Sequence, residues 1–265
     1  MARFNFFGEG LPDIDLDELK GRLIVLEGTD GVGRSTHIGL LKQWLENHGH
    51  AVLDTGMTRS ALAGKRLKQA KEGHTLGGIT MSLFYATDFA DRLEQEIIPA
   101  LRAGFIVLTD RYIYSLMARA IVRGSDPDWL SEVYGFALRP DAVFYLRLGI
   151  DDLVTRVLQS TGFDYWESGR DLHMGEDMYD SFVRYQKWLL AEFDKMVETY
   201  GFEIVDASGT VEEVFENLRE RVDRVVARNG YSPLIDSSTD SSFKVSSVQS
   251  SASFSALAIT SFTVA

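Results

Sequence analysis

The chain contains no cysteine. That removes a disulfide framework and any thiolate metal site. It also suits a reducing compartment, so a cytoplasmic location is expected. Positive charge is scarce: 27 Lys and Arg stand against 39 Asp and Glu, for a formal net charge of −12. That balance argues against a broad nucleic-acid-binding face. It does not argue against a nucleotide pocket, which depends on its local field rather than on the total. No apolar run reaches the roughly eighteen residues that a membrane-crossing helix requires. The first residues carry Phe4, Phe6 and Phe7 but lack the basic flank and long apolar stretch of a secretory signal. Neither nucleic acid nor membrane is therefore an expected partner. What remains, 265 residues with 45% apolar side chains, is enough for one α/β domain with a sizeable core.

Strand-type and helix-type patterns alternate along that domain. Apolar runs at 22–27, 51–53, 105–109, 142–146 and 202–206 read as five strands. Between them lie helical patterns. One runs from the glycine-rich stretch near Gly28 to about His48, with Ile38, Leu41 and Leu45 as its apolar stripe. Others cover about 61–72, one continuous helix from Gly78 to Arg102, a helix to Arg123, and one opened by Ser125-Asp126-Pro127. The last three cover Asp151 to Leu158, 178–200 and 210–228. Such alternation predicts a three-layer α/β sandwich: a five-stranded parallel sheet with helices on both faces. Residues 1–20, with Asp13, Asp15, Asp17 and Glu18, read as a lead-in packed loosely on a domain spanning 21–229. Residues 230–265 read as a Ser/Thr-rich, disordered tail.

One stretch carries chemistry by itself. Gly28-Thr29-Asp30-Gly31-Val32-Gly33-Arg34-Ser35-Thr36 follows the first strand and opens the first helix. The spacing is that of a phosphate-binding loop, G-x-x-x-x-G-K-[ST], with Arg34 where lysine is expected. Gly28, Gly31 and Gly33 allow the backbone to curl so that successive N–H groups converge on one phosphate. The helix dipole adds to the attraction, and Ser35 offers a hydroxyl to Mg²⁺. The plainer reading is a glycine turn between a strand and a helix.

In a doubly wound sheet, ligands sit beyond the carboxyl ends of the strands. Asp110-Arg111-Tyr112 falls there, after the third strand. Asp110 is placed to hold Mg²⁺ or its water, and Arg111 to take a second phosphate in fork geometry. A surface ion pair is the alternative for these two. A segment that closes over the site and excludes water is expected at 160–176. Arg170 is that segment's arginine and Arg156 lies on the helix leading into it; a solvated acidic loop is the competing reading. Phe84 and Tyr85 fall in the apolar stripe of the long helix, where an aromatic is either core or a platform for a base.

These residues together resemble the thymidylate kinase family of P-loop nucleoside monophosphate kinases. Its carriers are Leu26-Glu27-Gly28-Thr29-Asp30-Gly31-Val32-Gly33, Leu83-Phe84-Tyr85-Ala86, Ile98-Pro99-Ala100-Leu101 with Gly104, Asp110-Arg111-Tyr112 with Ser115, Arg139-Pro140-Asp141 and Val205-Asp206-Ala207. The resemblance covers about residues 22–228. It implies a closing lid, commonly a homodimer, and Mg²⁺- and ATP-dependent phosphorylation of dTMP to dTDP. Asp30 would lie near the acceptor sugar and phosphate, Phe84 would stack on the base, and Arg111 would touch the acceptor phosphate. Arg156 would approach the ATP phosphates, and the segment from Asp206 would border the adenine.

The chain also departs from the family's pattern. The loop lysine is Arg34, and that exchange is not conservative. The family's Arg-Glu-Pro-Gly-Gly stretch is Gly56-Met57-Thr58-Arg59-Ser60. Asp88 or Phe89 falls where an arginine is usual on the long helix, which leaves Arg92, one turn on, as the acceptor-side candidate with Tyr112. The pair that helps read thymine is replaced around Arg119-Ala120, and the lid reads Asp164-Tyr165-Trp166-Glu167. Three readings follow. One is a thymidylate-type kinase with Asp30, Arg34, Asp110 and Arg111 at its centre. Another is a kinase of the same fold for a different phosphorylated acceptor. The third is a nucleotide-binding domain with weak catalysis.

Overall fold

The computed structural model describes residues 4–73, 76–160 and 162–227. The expected tail at 230–265 lies outside them. Five parallel strands, β1 (Arg22–Glu27), β2 (Val52–Gly56), β3 (Ile106–Asp110), β4 (Ala142–Arg147) and β5 (Glu203–Asp206), form one sheet in the order β2-β3-β1-β4-β5. The helices are α1 (Arg34–Asn47), α2 (Gly64–Gly73), α3 (Gly78–Arg92), α4 (Ile98–Arg102), α5 (Ile113–Val122), α6 (Pro127–Val133), α7 (Ile150–Gln159), α8 (Met178–Tyr200) and α9 (Val211–Ala227).

The period of two along β1 divides the core. Leu23 and Val25 enter a cluster with residues of α3, α5 and α8, while Ile24 and Leu26 enter one with residues of α1 and α9. All four are fully buried, as a central parallel strand covered on both faces requires. Register then decides where chemistry can occur. Leu26 lies opposite Asp110, Glu27 opposite Tyr145, Gly56 opposite Asp110 and Arg147 opposite Asp206. The carboxyl ends of the strands thus share one edge of the sheet, with β1 in the middle.

Two expectations change. The helix read as continuous from Gly78 to Arg102 widens into a five-residue π turn at Leu93–Ile97 between α3 and α4. Pro99 follows two residues on, in the first turn of α4; it has no N–H to return to the preceding turn, so the ladder is rearranged just before it. The lead-in is not loose. Phe4 is buried, Phe6 pairs with Leu138 in an antiparallel bridge, and Phe7 meets Tyr114 and Tyr200 edge-on. Three aromatics within four residues are sufficient to hold the stretch 4–7, which lies outside any helix or named strand.

Candidate active site

Chain direction reverses from β1 into α1 through the loop 28–33. Gly28, Gly31 and Gly33 all have positive φ, at 147°, 81° and 98°. A Cβ on Gly28 would stand 2.7 Å from the Leu146 carbonyl oxygen, and one on Gly31 would stand 2.7 Å from the Val157 side chain. Glycine is therefore required both for the turn and for the close approach to β4 and α7. Gly33 caps α1 without a side-chain bond, which leaves the first N–H groups of the helix facing the loop.

Arg34 is buried and turned back under this loop. Its Nε donates to Asp110 Oδ1 at 2.7 Å, its Nη1 to the carbonyls of Gly28 (2.6 Å) and Thr29, and its Nη2 stands 3.7 Å from Asp30. Ser35 Oγ donates to the other Asp110 oxygen at 2.7 Å. Arg34, Ser35 and Asp110, singled out in the sequence, meet at one carboxylate. Register alone does this, because Asp110 ends the strand beside β1.

Arg111 follows in a left-handed conformation, φ 69°, unusual for a side chain with a Cβ. Three bonds impose it: its N–H donates to Leu26 O at 3.0 Å, its carbonyl accepts from Thr109 Oγ1 at 2.7 Å, and the next N–H, of Tyr112, donates to Glu27 Oε1 at 2.8 Å. Glu27 also accepts from Ser115 N and Oγ, so this buried carboxylate caps the start of α5. Burial raises its pKa. The Arg111 side chain is thereby aimed at the loop, where it contacts one Asp30 oxygen while Arg119, two turns along α5, contacts the other. Burial and the adjacent Arg119 pull Arg111 down to about 9, still charged at neutral pH.

Beyond Arg119 opens a cavity of about 410 Å³ between α2, α3, α5 and the segment 163–172. Met81, Ser82, Tyr85, Leu116 and Trp166 give it aromatic and apolar walls; Lys71, Arg119 and Arg123 make it cationic. Burial, then Arg119, lowers the Lys71 ammonium. Tyr165, Trp166, Asp171 and Leu172, from the segment expected to form a lid, line this cavity. Trp166 Nε1 donates to Lys71 O at 2.9 Å, and Arg123 donates to Asp171, to Trp166 O and to Tyr185 Oη.

On the other flank, Asp206 is exposed at the end of β5, and its carboxylate accepts from Ser208 N. That backbone bond, then Ser208's hydroxyl, lowers its pKa. Arg156 reaches the same turn, donating to Ala207 O at 2.7 Å and Gly209 O at 3.4 Å. Its guanidinium steadies the 206–209 turn beside the loop in this arrangement.

Four expected site residues are placed elsewhere. Phe84 does not line the cavity; Tyr85 and Met81 do, because they project from the inner side of α3. Arg92 is buried against Asp88 (3.2 Å) and over the Phe89 ring, away from the cavity. Tyr112 is core, its hydroxyl donating to Leu138 O at 3.0 Å and its ring packed on Phe89. Arg170 donates to the carbonyls of Gly175 and Asp177, within its own segment. Conversely, Arg119, Arg123 and Glu27 were not assigned site roles from sequence, and Tyr85 was read only beside Phe84 as either core or a platform for a base. For Arg119 the available signal was its position about two turns into the helix that follows Arg111.

A phosphate loop at the carboxyl edge of a β2-β3-β1-β4-β5 parallel sheet, with an Asp-Arg pair across the crevice and a covered cavity beside it, defines a P-loop nucleotide-binding protein of the nucleoside monophosphate kinase type. Comparison with known proteins narrows the class. The family model described as thymidylate kinase matches residues 26–218. The chain is 35% identical over 205 residues to "Probable thymidylate kinase 2" of Saccharolobus solfataricus, covering 76% of this chain and 95% of that protein. It is 31% identical over 209 residues to "Probable thymidylate kinase" of Thermococcus gammatolerans (75% and 94%), and 29% over 217 residues to "Thymidylate kinase" of Caldicellulosiruptor saccharolyticus (79% and 100%). The chain belongs to the thymidylate kinase family, whose members are transferases that use ATP, generally with Mg²⁺. Among the described residues no helix is long and apolar enough to cross a membrane.

Proposed function

We propose that this chain transfers the γ-phosphoryl group of ATP to dTMP, forming dTDP and ADP. An oxygen of the acceptor phosphate forms the new bond to the γ-phosphorus, and the bond to the oxygen bridging to the β-phosphorus breaks. The carrying observation is the contact of Asp30 with Arg111 and Arg119, which joins the phosphate loop to the cavity. It supports a donor phosphate on the loop side and an acceptor phosphate on the cavity side, within reach of one another. The walls near Tyr85 and Trp166 suit a planar base.

Ser35 Oγ and Asp110 Oδ2, 2.7 Å apart at the loop, are hard oxygen donors of the kind Mg²⁺ accepts, and they fit an ion that takes few protein ligands beside phosphates and water. Among the described residues no group of three or more His, Asp or Glu forms an all-protein cage. Bound there, the ion would neutralise phosphate charge. The residues themselves would position: loop amides on the donor, Arg111 on the acceptor, the 163–172 segment against water.

A second reading keeps nucleotide binding but little catalysis. Arg34 favours it, being engaged by its own loop and Asp110 rather than free toward a phosphate. Incubation with MgATP and a panel of dTMP, dUMP, UMP, CMP and AMP, with ADP and diphosphate products measured, separates the readings. Turnover of dTMP alone supports the proposal. Turnover of another monophosphate instead reassigns the acceptor, and ATP binding without any turnover refutes the kinase reading.

A further inference from the structure

Phosphoryl transfer between two anions needs cations at the junction, and the sequence offered Arg34, Arg156 and Arg170 for this. In the structure each is engaged elsewhere: Arg34 with Asp110 and loop carbonyls, Arg156 with the carbonyls of Ala207 and Gly209, Arg170 with those of Gly175 and Asp177. Arg119 is different. It lines the cavity and also contacts Asp30 in the loop, so it stands at the throat between the acceptor chamber and the donor site.

The charge at this throat is uneven. One carboxylate, Asp30, lies between two guanidinium groups, Arg111 and Arg119, with Arg34 3.7 Å away and itself engaged by Asp110, while Glu167 acts on both arginines from farther off. Arg123, one turn on, is already matched by Asp171, with which it makes bonds of 2.8 and 3.2 Å. Each arginine has five N–H donors, and Asp30 takes only a part of them. Arg111 Nε is buried with no hydrogen-bond partner. Two crowded guanidinium groups with spare donors and one shared carboxylate form a receptor for a further tetrahedral anion.

We propose that Arg119 is an acceptor-binding residue that grips the phosphate of the incoming nucleoside monophosphate together with Arg111, with Asp30 holding the pair in register before the acceptor arrives. The proposal rests on the kinase reading and adds to Arg111 a second cation, from α5, at the acceptor phosphate. Selectivity at this point is for the phosphomonoester rather than for the base or sugar.

The test is calorimetric titration of dTMP, thymidine and ATP into wild type, Arg119→Gln and Arg119→Lys, with thermal unfolding of each. The expected result for Arg119→Gln is roughly 10- to 100-fold weaker dTMP binding, as for loss of charge-assisted hydrogen bonds, with thymidine and ATP changed less than about twofold. Arg119→Lys should recover part of the dTMP affinity. Equal weakening of dTMP and thymidine would show a merely structural role and overturn the proposal, as would unchanged dTMP binding in Arg119→Gln. If Arg119→Gln does not fold, the comparison of dTMP with thymidine in Arg119→Lys decides: a loss confined to dTMP supports it, and no loss or an equal loss overturns it. Wild-type protein that binds no nucleoside monophosphate would refute the kinase reading itself, which the Arg119 variants cannot do.

Discussion

Replacing Arg34 isolates what its planar fork does at the loop. Arg34 joins Asp110 through Nε at 2.7 Å, Gly28 O through Nη1 at 2.6 Å, and Thr29 O, with Asp30 at 3.7 Å, at 7% side-chain exposure. A lysine places one ammonium there and can keep about half of these contacts. Losing one or two bonds to a charged group should cost about 2 kcal/mol. Arg34→Met removes all of them, leaving two buried carbonyls unpaired and Asp110 with Ser35 alone, and should cost about 4 kcal/mol. For a domain of this size, about 3 °C of Tm per kcal/mol converts these to drops of roughly 6 °C and 12 °C. Differential scanning calorimetry of the three proteins, without nucleotide and with MgATP, measures them. Turnover should fall about tenfold or less for Lys and more than about 100-fold for Met, because the loop and Asp110 lose the guanidinium that holds them in place around the donor. A lysine variant with wild-type Tm and unchanged or higher turnover would refute the claim that the fork matters. A methionine variant within about 2 °C of wild type would refute the energetic argument, since burial of unpaired groups could not be so cheap.

Other expectations are simpler. Tyr85→Ala should raise the acceptor KM about tenfold or more with the ATP KM unchanged, as loss of an aromatic wall implies; Phe84→Ala should change it less than about threefold, and steady-state kinetics compares the two. His37 is buried beneath the loop, and burial, then Arg156, lowers its pKa from 6.5 to about 4. Between those values the unfolded chain binds the proton and the folded one does not. Stability is therefore present above pH 6.5 and is lost as pH falls toward 4, by about 3 kcal/mol at most. Urea midpoints at pH 7.5 and 4.5 for wild type and His37→Gln check this, and an unaltered pH slope in the variant would count against it. Asp171→Asn should speed limited proteolysis within 160–176 by unlatching Arg123, while leaving far-UV circular dichroism unchanged.

The legible parts of the site were those written in contiguous residues. The loop from Gly28 to Thr36 carries its own geometry, because three glycines and a helix start specify a curled backbone whatever surrounds them. Asp110 was legible for a related reason: an apolar run ending in an acid marks a strand end, and a parallel sheet sends strand ends to one edge. Helical positions were harder. Phe84 and Tyr85 differ by about 100° around α3, and a one-residue ambiguity in phase exchanges a half-buried residue for a cavity wall. Arg92 illustrates the same limit, since its sequence neighbourhood of Asp88, Phe89 and Asp91 does not reveal that it faces the core.

The alternation of strands and helices, the phosphate loop and the family are readable from the chain alone, because each depends on short-range spacing and on the period of apolar residues. Which partner each arginine takes is a property of the fold. A guanidinium on a long stem reaches any acceptor within several ångströms, so its partner is chosen by packing rather than by position in the chain. Arg34 turned under its own loop, Arg156 and Arg170 bound backbone carbonyls, and Arg119, from a helix that lines the cavity, reached Asp30.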